Sequence, residues 1–162
     1  MNICIIQLTR IGDILQTYQA AKQLKCENPD IKLTLITRRR FSSQLDFLLK
    51  ETFDNIIEFE TKDFFQGENP NLKDVRIKLH NFVHDIKKLD FNLVVNLSFT
   101  KASSFLTTLI SQKLKMGIYR NNIAQIGIDD KWSQYVYSNI LESSSSPFNL
   151  VDIYKSMLGA KE

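Results

Sequence analysis

The chain holds two cysteines and two histidines, and that scarcity removes several kinds of chemistry. Cys4 lies in an apolar run and Cys26 near the end of a helix-like pattern, so there is no disulfide framework and no metal-ligand spacing. A reduced protein of the cytoplasm is the expectation. His80 and His84 stand four apart, a spacing that suits a metal, but no third ligand accompanies them and Lys78, Lys87 and Lys88 make the face basic. No bound metal is expected. Glycine numbers only five, and the turn Arg10-Ile11-Gly12-Asp13 has a single one. That is too few for a GxGxxG or Walker-type phosphate loop, which argues against nicotinamide or ATP on the first turn. No serine, histidine and acid suggest a triad. No apolar run approaches the roughly 20 residues that span a bilayer. Met1-Asn2 opens into Ile3-Cys4-Ile5-Ile6 without a basic leader, so any membrane contact is expected to be peripheral. Charge of one sign is lacking too: 21 Lys and Arg against 18 Asp and Glu leave +3, too small an excess to announce a nucleic-acid partner.

What is present describes one ordinary domain, with 162 residues, 43% hydrophobic and 24% charged, long enough to bury its own core. Short apolar runs alternate with amphipathic ones. Strands are predicted at Ile3–Leu8, Lys32–Thr37, Ile56–Phe59, Asn92–Leu97 and Leu114–Tyr119. Between them the 3.6-residue period predicts helices over Ile14–Lys25, Phe41–Lys50, Leu72–Leu89 and Ala102–Gln112. Glu60–Lys73, with Gly67 and Pro70, reads as a polar loop whose Phe64-Phe65 is either an apolar tip for a partner or lipid, or a small packed cluster. Trp132–Tyr137 reads as a short strand, Ser143–Pro147 as a linker and Phe148–Leu158 as a last helix, ended by Gly159 as a left-handed cap. There is no internal repeat. Strict alternation predicts an α/β fold, a Rossmann-like parallel sheet with helices on both faces.

Such sheets bind ligands beyond the carboxyl ends of their strands. After the first strand come Thr9, Arg10, Gly12 and Asp13; after the second, Thr37, Arg38, Arg39 and Arg40. After the fourth come Ser98, Thr100, Lys101, Ser103 and Ser104, and after the fifth Arg120, Asn121 and Asn122. Arg10, Arg38, Arg39, Arg40, Lys101 and Arg120 would thus share one rim and suit a ligand with several negative groups. Arg38-Arg39-Arg40 also reads simply as a solvated turn. Asp13 has two readings as well. It is either a first-turn acid favoured by the helix dipole, or a general base that takes a proton from an acceptor hydroxyl.

The run Ile3 to Ala21, with Arg10-Ile11-Gly12-Asp13 followed by Ile14-Leu15-Gln16-Thr17, resembles the amino-terminus of bacterial lipopolysaccharide heptosyltransferases, glycosyltransferase family 9. Pro29 to Ile36 before a basic turn, Leu93 to Ser98, and Lys115-Met116-Gly117-Ile118 extend the likeness over nearly the whole chain. The resemblance implies one lobe of a GT-B fold, with residues 1–162 as the amino-terminal acceptor-binding domain. The nucleotide-sugar lobe, with an ADP-heptose-like donor, is then expected outside this chain, and no cofactor on this domain. Asp13 becomes the catalytic base of an inverting transfer, and Thr9, Arg10, Gly12, Arg38, Arg39, Arg40, Ser98, Lys101 and Arg120 would bind the anionic lipopolysaccharide-core acceptor. The expected place is the cytoplasm, peripheral to the inner face of the inner membrane. Asn96 stands where the family often has Asp. The competing readings are a non-catalytic module of the same fold recognising an anionic glycan or lipid, and a flavodoxin-like nucleotide binder.

Overall fold

The computed structural model describes residues 1–65, 71–142 and 146–161. Its main sheet contains β1 (Asn2–Ile6), β2 (Lys32–Thr37), β3 (Asn55–Glu58), β4 (Leu93–Asn96) and β5 (Leu114–Gly117). They run in the order β3-β2-β1-β4-β5, and every pairing is parallel. The order therefore reverses between β1 and β4, where an open α/β sheet leaves a crevice.

Alternation along β1 sorts the helices onto two faces, because successive strand side chains point oppositely. Ile3 and Ile5 pack with residues of α1 (Ile11–Glu27) and α8 (Leu150–Leu158). Cys4 and Ile6 pack on the other face with Ile86 of α5 (Leu72–Lys87) and Leu106 of α6 (Lys101–Ile110). Ile3, Cys4, Ile5 and Ile6 are all buried, as a strand covered on both sides requires. Both cysteines are free; burial pushes the Cys4 thiol well up, so it behaves as a small apolar side chain.

Several predicted boundaries shift. The helix predicted over Phe41–Lys50 breaks at Leu45 into α2 (Arg39–Gln44) and α3 (Asp46–Leu49). The polar loop contains a single turn, α4 (Thr61–Phe64), while its Gly67 and Pro70 lie outside the described residues. Phe64 packs against Phe59 and Phe82, with ring centroids 5.7 and 5.6 Å away, and Phe65 stays exposed. Ser143, Ser144 and Ser145 of the predicted linker also lie outside the described residues. Gly159 adopts φ 76° and ends α8, and the Ala160 N–H donates to the Lys155 carbonyl at 3.0 Å, as a left-handed cap requires.

The strand predicted at Trp132–Tyr137 is a correction. That segment lies in helix α7 (Lys131–Glu142). Its aromatic residues favour strands intrinsically, but Ser133 and Val136 fall three apart and are buried, with Trp132 and Tyr135 packed beside them. Asp130 caps the helix by accepting from the Ser133 N–H at 2.8 Å, a signal legible in Asp130-Lys131-Trp132-Ser133. The fifth strand also ends early. Gly117 takes φ +90°, and the chain turns into a separate ribbon of β6 (Tyr119–Arg120) and β7 (Ile126–Gly127).

Asn96 explains itself by geometry. Its Nδ2 donates to the Ile118 carbonyl at 2.7 Å and its Oδ1 accepts from the Ser98 N–H at 2.9 Å. A buried amide, with a donor at one end and an acceptor at the other, links the exits of β4 and β5.

A Cβ at Gly117 would sit 2.1 Å from the Asn96 carbonyl oxygen, whereas one at Gly12 would meet nothing within 4 Å. Gly117→Ala is therefore expected to cost at least about 2 kcal/mol in urea denaturation, and Gly12→Ala less than about 1 kcal/mol. Burial would raise the Asp54 carboxyl, but the Lys25 ammonium at 2.8 Å and the Leu33 N–H at 2.7 Å outweigh it and hold it below its ordinary range. A depressed carboxyl stabilises above its unfolded pKa, and that contribution disappears as pH falls through the folded value. Asp54→Asn should thus cost about 0.2–1 kcal/mol at pH 7, and progressively less as the pH of urea denaturation is lowered below the ordinary aspartate range.

Candidate functional site

The crevice between β1 and β4 is organised by one side chain that the sequence pattern hid. Gln7 is fully buried just past β1. Its Nε2 donates to the Leu97 carbonyl at 3.3 Å and to the Tyr154 hydroxyl at 3.4 Å. Its Oε1 accepts from the Ser98 hydroxyl at 2.9 Å and the Thr9 N–H at 3.3 Å. Ser98 Oγ in turn accepts from the Leu8 N–H at 2.6 Å. The two strand ends are thereby tied to each other and to α8. The only sequence signal was an amide in the otherwise apolar run Ile3–Leu8.

Thr9 carries this network to Asp13. Its hydroxyl oxygen is 2.6 Å from both Gln7 Oε1 and Asp13 Oδ2. One hydroxyl has one proton, and Gln7 Oε1 is already served by Ser98, so we assign the proton to the Asp13 contact. Asp13 lies in the first turn of α1, half-buried, with Arg10 as the residue before the helix. Burial first, and then the charge of Asp13, push the Tyr154 phenol up, which keeps it neutral beside the carboxyl.

Two cavities meet at this turn. One, of about 530 Å³, has Thr9, Arg10 and Asp13 on one side and an apolar wall that includes Leu97, Phe99, Ile140 and Phe148. The other, of about 670 Å³, is lined by Arg10, Arg38, Arg39, Arg40 and Lys62, with Glu60 and Thr100. Thr9 and Arg10 line both.

The cations of the second cavity are unequally available. Arg38 donates through Nε to the Leu8 carbonyl at 3.1 Å and pairs with Glu60 at 3.4 Å. Arg39 pairs with Glu58 at 2.7 Å and Asp63 at 2.8 Å. The Arg40 guanidinium lies 4.5 Å from the centre of the Phe41 ring. Among the described residues, Arg10, Arg40 and Lys62 form no ion pair, so their charge is uncompensated.

Thr9, Arg10, Arg38, Arg39, Arg40 and Asp13 therefore come together, whereas the predicted rim of six basic residues does not. Lys101 is exposed at the start of α6 and lines neither cavity. Arg120 is held away by the β6–β7 ribbon. Its guanidinium donates to Ser104 Oγ at 3.1 Å and the Ala124 carbonyl at 2.9 Å, and it lines a different cavity with Asn121 and Asn122. Ser98 is buried and supports the turn from beneath, and Gly12 sits exposed on the helix start. Ser103 and Ser104 are buried in α6, where Ser103 completes a capping box with Thr100. Lys62 lies in α4, the turn that follows the third strand, and its sequence signal is Glu60-Thr61-Lys62-Asp63 after that strand. Among the described residues no three His, Cys, Asp or Glu side chains converge on a metal position, and His80 and His84 stack with ring centroids 6.3 Å apart. No described helix is long and apolar enough to cross a membrane.

No family model and no curated protein matches the sequence. Solved structures match its shape. E. coli heptosyltransferase WaaC with ADP-2-deoxy-2-fluoro heptose superposes with a TM-score of 0.69 at 14% identity, over 98% of this chain and 47% of that one. The fold is shared with about half of that heptosyltransferase chain. The glycosyl transferase family 9 protein from Veillonella parvula DSM 2008 gives 0.63 at 14% identity, over 99% of this chain and 42% of that one. E. coli ADP-heptose lps heptosyltransferase II gives 0.54 at 12%, over 72% and 30%. This chain thus spans about half the length of the WaaC structure, and at such identities the likeness establishes the fold.

Charge compensation in the arginine cavity is testable. The Ser42 hydroxyl and then the Arg39 guanidinium hold the Glu58 carboxyl below its ordinary range, so it stays charged at neutral pH and neutralises Arg39. Glu58→Gln is expected to tighten tripolyphosphate binding at pH 7, by up to about fivefold at low salt in isothermal titration calorimetry. An unchanged affinity would show that Arg39 does not act on the cavity.

Proposed function

We propose that this chain is the acceptor-binding lobe of an inverting glycosyltransferase, one that moves a heptose or related sugar from a nucleotide sugar to an anionic acceptor of the lipopolysaccharide-core kind. The reading is supported above all by one observation: a hydrogen-bonded carboxyl, Asp13, at the strand-order reversal beside a cavity of arginines. The shape shared with WaaC, a heptosyltransferase seen with ADP and with an ADP-heptose analogue, points the same way.

In this mechanism Asp13 is the general base. The acceptor hydroxyl approaches Asp13, gives up its proton to the carboxylate and attacks the anomeric carbon. The new carbon–oxygen bond forms as the bond to the nucleotide diphosphate breaks on the opposite face, so the anomeric centre inverts. Thr9 holds the carboxyl through Oδ2 and leaves its other oxygen for the incoming proton. The donor, and the charge of its leaving diphosphate, are assigned to a second lobe that faces this crevice. Arg10, Arg38 and Arg40 bind the acceptor's phosphates or carboxylates, since guanidinium forks match both groups. The site of action is the cytoplasmic side of the inner membrane, with contact at the membrane surface only.

In the complete transferase containing this lobe, Asp13→Asn should lower turnover by about 10²–10⁴ while leaving acceptor affinity intact. The present chain alone should bind a deacylated, phosphorylated core oligosaccharide and transfer no heptose to it from ADP-heptose, as followed by mass spectrometry of the glycan. Unchanged turnover in Asp13→Asn would remove the base, and transfer by this chain alone would remove the two-lobe assignment.

A further inference from the structure

The two cavities beside Asp13 differ in kind. The one that contains Asp13 has walls of Phe99, Phe148, Ile140 and Leu97, and among the described residues its only lining side chains with a formal charge are Asp13 and Arg10. These walls are built rather than incidental. Phe99 lies against Tyr137 at 6.4 Å and 18°. Phe148 is wedged edge-on between Trp132 and Tyr135, at 5.6 Å from each. The adjoining cavity gathers Arg38, Arg39, Arg40 and Lys62. Arg10 lines both and forms no ion pair among the described residues.

We propose that the ligand of this site is bipartite. An uncharged sugar residue with an apolar face occupies the cavity beside Asp13, its anionic group sits in the arginine cavity, and Arg10 spans the junction. The proposal rests on the functional reading above and specifies its substrate class. A phosphate or carboxylate carried by the reacting residue itself would be desolvated against aromatic walls within the field of Asp13, an arrangement that like charge and burial both penalise. A pyranose ring has one face of C–H bonds that packs on an aromatic wall, while its hydroxyls reach the few polar groups at the rim. A cavity of about 530 Å³ falls within the size range of sites for such small molecules. Charge on the neighbouring residue of the same glycan then falls where the guanidinium groups are.

The test uses this chain and four probes: methyl mannoside, tripolyphosphate, and two mannose disaccharides phosphorylated on either the outer or the inner residue. Binding is followed by calorimetry and by aromatic proton–carbon NMR. Methyl mannoside should shift the Phe99 and Phe148 ring signals and tripolyphosphate should not. Phe99→Leu, which keeps a large apolar side chain and removes the ring, should weaken methyl mannoside at least fivefold and leave tripolyphosphate unchanged. Arg40→Ala should do the reverse. The inner-phosphorylated disaccharide should bind at least tenfold tighter than the outer-phosphorylated one. Equal affinity of the two, a preference for outer phosphate, or no binding of methyl mannoside would overturn the proposal. If the preference reverses while transfer by the complete transferase still depends on Asp13, only this inference fails. If the preference holds while that transfer does not depend on Asp13, the functional reading fails and bipartite recognition stands.

Discussion

A buried amide at the point where the strand order reverses fixes the rest of this site. Gln7 makes contacts through both ends of its side chain to the exits of two parallel strands and to the last helix. Leaving such a group without partners costs on the order of 1–3 kcal/mol, so the three elements cannot separate without that penalty. Thr9 and Asp13 inherit their positions from it, and with them the geometry of both cavities. The carboxyl is therefore placed by the core of the protein and not by a loop.

The surroundings of Asp13 divide polar from apolar along one short turn. On one side lie Phe148, held edge-on by Trp132 and Tyr135, and Phe99, stacked on Tyr137; on the other lie guanidinium groups partly satisfied by Glu58, Glu60 and Asp63. Partial compensation keeps the arginines folded onto the sheet edge without erasing their field, because Arg10, Arg40 and Lys62 have no carboxylate partner among the described residues.

Much of the architecture was legible in the residues. Ile3 to Leu8 reads as a buried strand because β-branched residues dominate a run too short for a helix, and Gly159 as a cap because the helix pattern stops there. The first turn placed Thr9, Arg10 and Asp13 together since strand and helix flank it directly. Long-range partners were not legible. Nothing local distinguishes Arg120, which a two-stranded ribbon turns away, from Arg40, which a helix start turns inward. Strand-forming aromatics masked helix α7, where burial against α8 overrode local preference. Gln7 looked like a strand residue because its role is defined by Leu97, Ser98 and Tyr154, some 90 and 147 positions away.

Where an acceptor lies decides whether Asp13 can act as the base. A crystal structure of this chain with a deacylated, phosphorylated core oligosaccharide is predicted to show a glycan hydroxyl within about 3 Å of an Asp13 carboxylate oxygen, with a phosphate against Arg38 and Arg40. A glycan seated instead on the Arg120 cavity, or one whose hydroxyls all turn away from Asp13, would contradict it.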